Sequence, residues 1–148
     1  MVIEGRRWRA SDPAIPDTLR QELVAELMSA RRDVRTDPEQ ARPRVQDAKV
    51  ALGERGEPWW QPTPTGQRER LAATMRTLLR HRAPDSTICP SDAARITGGQ
   101  QWRELMDDAR AVAAELAGEG TLVFRQKGKD VEPATATGPI RLARGPRW

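Results

Sequence analysis

The side chains whose types and spacing suggest chemistry are cations. Arg125, Lys127 and Lys129 alternate along Leu122 to Val131, so on a strand they share one face. Arg141, Arg144 and Arg147 follow them. Residues 1–60 hold 11 basic and 11 acidic side chains, and residues 61–120 hold 8 and 8. Residues 121–148 hold 6 basic against 2 acidic, so the whole net charge of +4 lies there. A local excess of this kind is the footprint of contact with a polyanion. Contacts to phosphate position a nucleic acid without reading its bases. The same alternation also suits a solvated hairpin whose charges keep an edge strand from aggregating.

Other reactive groups are few. The chain has one cysteine, Cys89, and one histidine, His81. Neither has a metal-ligating or nucleophilic partner near it in sequence, and no phosphate-loop, nucleophile-elbow or zinc-protease motif occurs. Cys89 reads as a packed thiol at the start of a helix. His81 reads as an exposed residue closing a helix beside Arg80 and Arg82. Ser91 and Asp92 fit a first helical turn. These residues predict a non-enzymatic protein with no catalytic residues, no metal and no cofactor. Hydrophobic residues are 37% of the chain, and no run approaches the 18 apolar residues of a membrane span. With no apolar leader segment either, the expected location is cytoplasmic.

The elements that must position the cations read from the N-terminus as follows. Glu4-Gly5 suits a tight turn between two very short strands. Pro16 to Arg35 reads as a helix with Leu19, Leu23 and Leu27 on one stripe. Asp37 and Pro38 start a second helix as N-cap and first residue, and Gly56 stops it. The two make an αα-hairpin over residues 1–57. Three prolines in residues 58–64 remove amide donors, so 58–66 reads as a semi-rigid linker of polyproline character. Residues 67–148 form a second module. There Gln67 to Arg82 is amphipathic, Thr87-Ile88-Cys89 is β-prone, and Pro90 to Ile96 is a short helix ended by Gly98-Gly99. A longer helix carries Trp102, Leu105, Met106, Ala109, Val112, Ala113 and Leu116. Gly128-Lys129 turns a hairpin after Gln126-Lys127, and Gly138 to Leu142 makes a last strand. Helix, short strand, helix, turn, helix and hairpin is the order of a winged helix-turn-helix. The expected fold is mainly α with a small β wing: an N-terminal hairpin plus a C-terminal winged helix-turn-helix with a basic tail.

Thr87-Ile88-Cys89-Pro90-Ser91, Trp102-Arg103, Glu119-Gly120, Gln126-Lys127-Gly128, Pro133-Ala134-Thr135 and Gly138-Pro139-Ile140-Arg141 together resemble a small bacterial winged-helix family of unknown function. The resemblance covers about residues 67–144 and implies a fold, with no catalytic residues to carry over. The first 60 residues resemble a bacterial family labelled a biopolymer transporter of the Tol type.

If the long helix is a recognition helix, Gln100, Gln101 and Arg103 at its start can reach base edges. Its other exposed positions include Glu104, Asp107, Asp108 and Glu115, which repel phosphate. Nucleic-acid contact is therefore expected through the wing and tail, with weak sequence selectivity. The alternative is an adaptor for another protein, using the hairpin, the acidic face of the long helix, and Trp8, Trp59 and Trp60. Those tryptophans suit a partner surface, though a pair such as Trp59-Trp60 in a proline frame more often pins a linker to its own domain.

Overall fold

The computed structural model describes residues 9–148 throughout and the backbone of Val2, Ile3, Arg6 and Arg7. Val2–Ile3 (β1) pairs antiparallel with Arg6–Arg7 (β2). The turn expected at Glu4-Gly5 and the partner residue expected at Trp8 lie outside the described residues.

Helix α1 spans Asp17–Asp33 and α2 spans Pro38–Leu52. Asp37 caps α2, its carboxylate accepting from the amide of Gln40, and Pro38 takes the first position, where its missing amide is harmless. The helix stops at Gly53, ahead of the expected Gly56. Gly53 has φ of 81°, and a Cβ there would stand 3.0 Å from the Trp59 ring. A left-handed φ and a ring that close select glycine at this stop.

Helix α3 spans Pro64–His81. Its first turn comes from the stretch expected to be an extended linker. Thr63 is the N-cap, its hydroxyl accepting from the Gly66 amide at 3.1 Å, and Pro64 is the first residue. Proline at that position starts a helix rather than preventing one. Helix α4 spans Pro90–Gly98. The chain then winds as a 3₁₀ segment, Gly99–Leu105, before α5, Met106–Gly118. The single long helix expected from Trp102 is thus broken at its start. Gly99 takes φ of 56° against Ala14, and Gln101 leaves helical geometry with φ of −100° and ψ of 21°.

Strands β3 (Leu122–Gln126), β4 (Lys129–Val131) and β5 (Arg141–Arg144) form an antiparallel sheet in the order β4-β3-β5. Ile88 bridges to Leu142 at the β5 edge through two backbone bonds of 2.8 and 2.9 Å. The molecule is therefore mainly helical with a small three-stranded sheet.

The apolar core is continuous from end to end. It joins Leu23 and Leu27 of α1, Leu52 of α2, Leu71, Met75 and Leu78 of α3, Ile96 of α4, Val112 and Leu116 of α5, and Phe124 and Leu142 of the sheet. The hairpin has little core alone, and α3 supplies its cover. A buried guanidinium marks the seam. Arg70 donates to the Asp12 carboxylate at 3.0 Å, to Ala51 O at 3.0 Å and to Ile96 O at 3.2 Å. Burial pulls its pKa down from the ordinary arginine value, opposed by the Asp12 charge. Among the described residues no helix is long and apolar enough to cross a membrane.

Candidate nucleic-acid interface

The hairpin β3–β4 turns at Lys127-Gly128, where both residues have positive φ, 52° and 78°. Two such residues are what a tight type I′ hairpin turn needs. The register pairs Arg125 with Asp130 and Gln126 with Lys129. Residues directly opposite share a face, and neighbours along a strand do not. Arg125 and Lys129 therefore lie on opposite faces, and Lys127 lies in the turn. The expectation of three cations on one face fails because the turn interrupts the alternation that the face required.

Two of these cations are open. Lys127 and Lys129 are exposed and make no ion pair with a described residue. Arg125 is tied to Asp130 at 2.9 Å. On the other side of β3 it stands opposite Arg141, so both arginines share the outer face of the sheet. Arg141 donates to the hydroxyl and the carbonyl of Thr87, at 2.9 and 3.0 Å. Arg144 donates to Leu79 O and Arg82 O, satisfying carbonyls at the end of α3. Arg147 is exposed. Of the six cations of the wing and tail, two thus serve chiefly as braces.

The tail also carries a feature that the sequence reading missed. Trp148 is 41% exposed and stands near two guanidiniums, Arg144 at 5.0 Å and Arg80 at 6.0 Å from its ring centroid. Only the fold brings Arg80 there. A second tryptophan with two arginines lies where a recognition helix was expected to begin. Arg95 and Arg103 each sit 4.6 Å from the Trp102 centroid. Gln100, Gln101 and Arg103 are exposed and belong to the 3₁₀ segment rather than to a regular helix.

The acids of α5 are partly answered within the fold. Arg68 of α3 reaches Asp108 at 3.3 Å and Glu115 at 2.9 Å. Arg110 is occupied in holding the loop before β5, donating to Ala136 O and Gly138 O. In the hairpin, Arg44 binds Glu26 and Asp33 together, and the Glu26 hydrogen bond holds its pKa above the ordinary value against the effect of burial. That leaves Arg31, Arg32 and Arg35 exposed at the end of α1 with no ion pair to a described residue. Arg31 and Arg32 stand i+3 and i+4 from Met28, a helix-face pattern the sequence offered, and Arg35 follows just past the helix. It was hidden because the 11 basic and 11 acidic side chains of residues 1–60 sum to neutrality.

Trp59 and Trp60 sit in the turn before α3. Their rings meet edge to face, with centroids 5.1 Å apart. Trp59 donates its indole N–H to Ala10 O at 3.1 Å, whereas Trp60 is 54% exposed. Cys89 caps α4 and is half-buried rather than deep in the core, with Ser91 Oγ donating to its sulfur at 3.0 Å. His81 is the last residue of α3 and is exposed.

Fold and site define a small, mainly helical protein whose three-stranded sheet presents a cationic tip. The chain belongs to a family described as protein of unknown function, DUF3253, whose model matches residues 68–145. The match starts inside α3 and ends just beyond β5. No curated protein matches the chain at a significant level.

Proposed function

We propose that this is a cytoplasmic, non-enzymatic nucleic-acid-binding protein of the winged-helix type. It contacts phosphates through its wing and tail with weak sequence selectivity. The observation that carries this reading is the open pair of lysines at the β3–β4 turn, Lys127 and Lys129, with Arg147 exposed on the tail. A wing that rests on a phosphate backbone needs cations free of internal partners, and these two are free of described ones. Trp148, 41% exposed beside Arg144 and Arg80, adds an aromatic side chain of the kind on which unpaired bases stack. The expected order of elements, with β3 and β4 as the wing, supports the same reading.

Fluorescence anisotropy with labelled single- and double-stranded oligonucleotides, repeated across a salt series, tests it. Each neutralised phosphate contributes about −0.9 to the slope of log K against log salt on duplex DNA. Lys127→Ala/Lys129→Ala should flatten that slope by about 1 to 2 and weaken binding similarly for unrelated sequences. Equal slopes for wild type and variant would remove the wing from the interface.

The adaptor reading draws on one observation of its own. Val24 and Met28 are exposed on α1 beside Arg31, Arg32 and Arg35, which make no ion pair with a described residue. Retention of a protein partner after nuclease treatment, and its loss in Met28→Glu, would favour that reading.

A further inference from the structure

An open cavity of about 560 Å³ on α1 is lined by Met28, Arg31, Arg32 and Arg35. Three guanidiniums share it, and no carboxylate does. Past the first turn of α1, its acids are engaged elsewhere: Glu22 with Arg82, and Glu26 and Asp33 with Arg44. A cation in the last turn of a helix is favoured by the helix dipole, which accounts for Arg31 and Arg32 but not for the apolar side chains beside them. Val24 and Met28 are 37% and 38% exposed. Counted back from Arg35, the stripe reads Arg35, Arg32, Met28 and Val24, at intervals of three, four and four residues.

A stripe of opposite sign runs along α5. Glu104, just before the helix, and Asp107, Ala111 and Glu115 on it are exposed, at the same intervals of three, four and four. Set antiparallel, the two stripes bring Arg35 opposite Glu104, Arg32 opposite Asp107, and the flexible Met28 opposite the small Ala111. Val24 falls opposite Glu115, whose charge is already held by Arg68 at 2.9 Å. The cations nearest this stripe are turned aside: Arg103 lies over the Trp102 ring, and Arg110 donates to Ala136 O and Gly138 O. Among the described residues, Arg31, Arg32, Arg35, Glu104 and Asp107 have no ion pair within the chain.

We propose that the two stripes pair between copies of this chain, the α1 stripe of one docking antiparallel on the α5 stripe of another. This pairing rests on the α1 surface of the adaptor reading and names a second copy as its occupant. A phosphate would answer the arginines and leave Val24 and Met28 in water, whereas α5 supplies acids and a small residue in the matching order. Each copy offers one stripe and receives the other, so the contact either closes reciprocally in a two-fold dimer or passes from copy to copy. It spans about three turns of each helix, which places it in the weak, transient class of interfaces. Its exposed ion pairs make it weaken as salt rises.

Sedimentation velocity of the nuclease-treated full chain, from about 10 μM to about 1 mM and at low and high salt, tests the proposal. Wild type should form larger species as its concentration rises, and high salt should dissociate them. Arg32→Glu/Arg35→Glu and, separately, Glu104→Arg/Asp107→Arg should each weaken this association by at least about ten-fold, since like charges then face each other. Thermal melting confirms that both variants fold. An equimolar mixture of the two should associate again, because their reversed charges complement each other. Lys127→Ala/Lys129→Ala should associate as wild type does, which separates this contact from the polyanion surface. A wild type that stays monomeric throughout, folded variants that associate unchanged, or a mixture that stays monomeric overturns the proposal. If wild type stays monomeric while Met28→Glu loses a nuclease-resistant protein partner, the adaptor reading stands and the second copy is overturned as its occupant.

Discussion

Helix α3 and the β3–β4 hairpin are both rich in cations, and they use them in opposite ways. On and just after α3, Arg70 holds Asp12, Arg76 and Arg80 share Asp47, and Arg82 holds Glu22. Each partner lies on the N-terminal helices or the loop before them, so these arginines join the hairpin to the remainder of the fold. On the wing, among the described residues, Arg125 pairs only with its cross-strand neighbour Asp130, while Lys127 and Lys129 have no partner. Arginine suits the first task because its planar fork binds a carboxylate in two places and a carbonyl besides. Lysine suits the second, as a mobile charge on a long stem. The difference teaches that a count of charges does not locate the free ones. Stretches that sum to neutrality here hold both ions paired across the fold, such as Arg76 and Arg80 with Asp47, and exposed ones with no described partner, such as Arg31 and Arg32.

The largest expected effect comes from breaking the α3 side. Arg70→Met removes three hydrogen bonds and leaves Asp12 buried without a counter-charge, so it should destabilise the chain by about 3–5 kcal/mol. A denaturant titration measures this, and adding Asp12→Asn should restore part of the loss. A cost under about 1 kcal/mol would mean that the seam is held by apolar packing alone. A smaller effect is expected from Asp47→Asn, which leaves Arg76 and Arg80 with no carboxylate. About 1–3 kcal/mol is the scale for hydrogen bonds to charged groups, and a thermal melt compared with Arg76→Ala shows whether Asp47 serves both arginines. The smallest effect belongs to the wing. Lys127 stands at φ of 52°, a region that a side chain disfavours and glycine accepts freely. Lys127→Gly should therefore raise stability by about 0.5 kcal/mol while lowering polyanion affinity. Loss of stability in that variant would show that the lysine braces the turn, making the wing resemble α3 after all.

Much of this architecture was legible. Asp37-Pro38 marked the start of α2 because an N-cap and a first-position proline act within a single turn. The leucine stripe of α1 and the apolar positions of α5 recorded their burial in their spacing. Two kinds of feature were not legible. One was the register of the wing. Glycine fits a turn as its first or second central residue, so Gly128 alone left two placements open, and the shift by one residue moved a lysine to the other face. The other was anything set by distant partners. Gly99 bends against Ala14, and Glu22 finds Arg82 across 60 positions of chain. Neither the break before α5 nor the division of arginines into braces and open charges is a property of a local window. Among the candidate site residues, chemical type was readable, while availability was decided by the fold.

The position of Arg70 bears on what the shared family segment amounts to. That segment opens at residue 68, yet the guanidinium just inside it reaches back to Asp12 and Ala51. A polypeptide limited to 68–145 would bare to solvent the side of α3 on which α1 and α2 rest, and would take from Arg70 its Asp12 and Ala51 partners. The stretch recognisable as kin and the unit built around one continuous core are therefore of different lengths. Relatives that carry the segment without this hairpin must cover the same helix by other means.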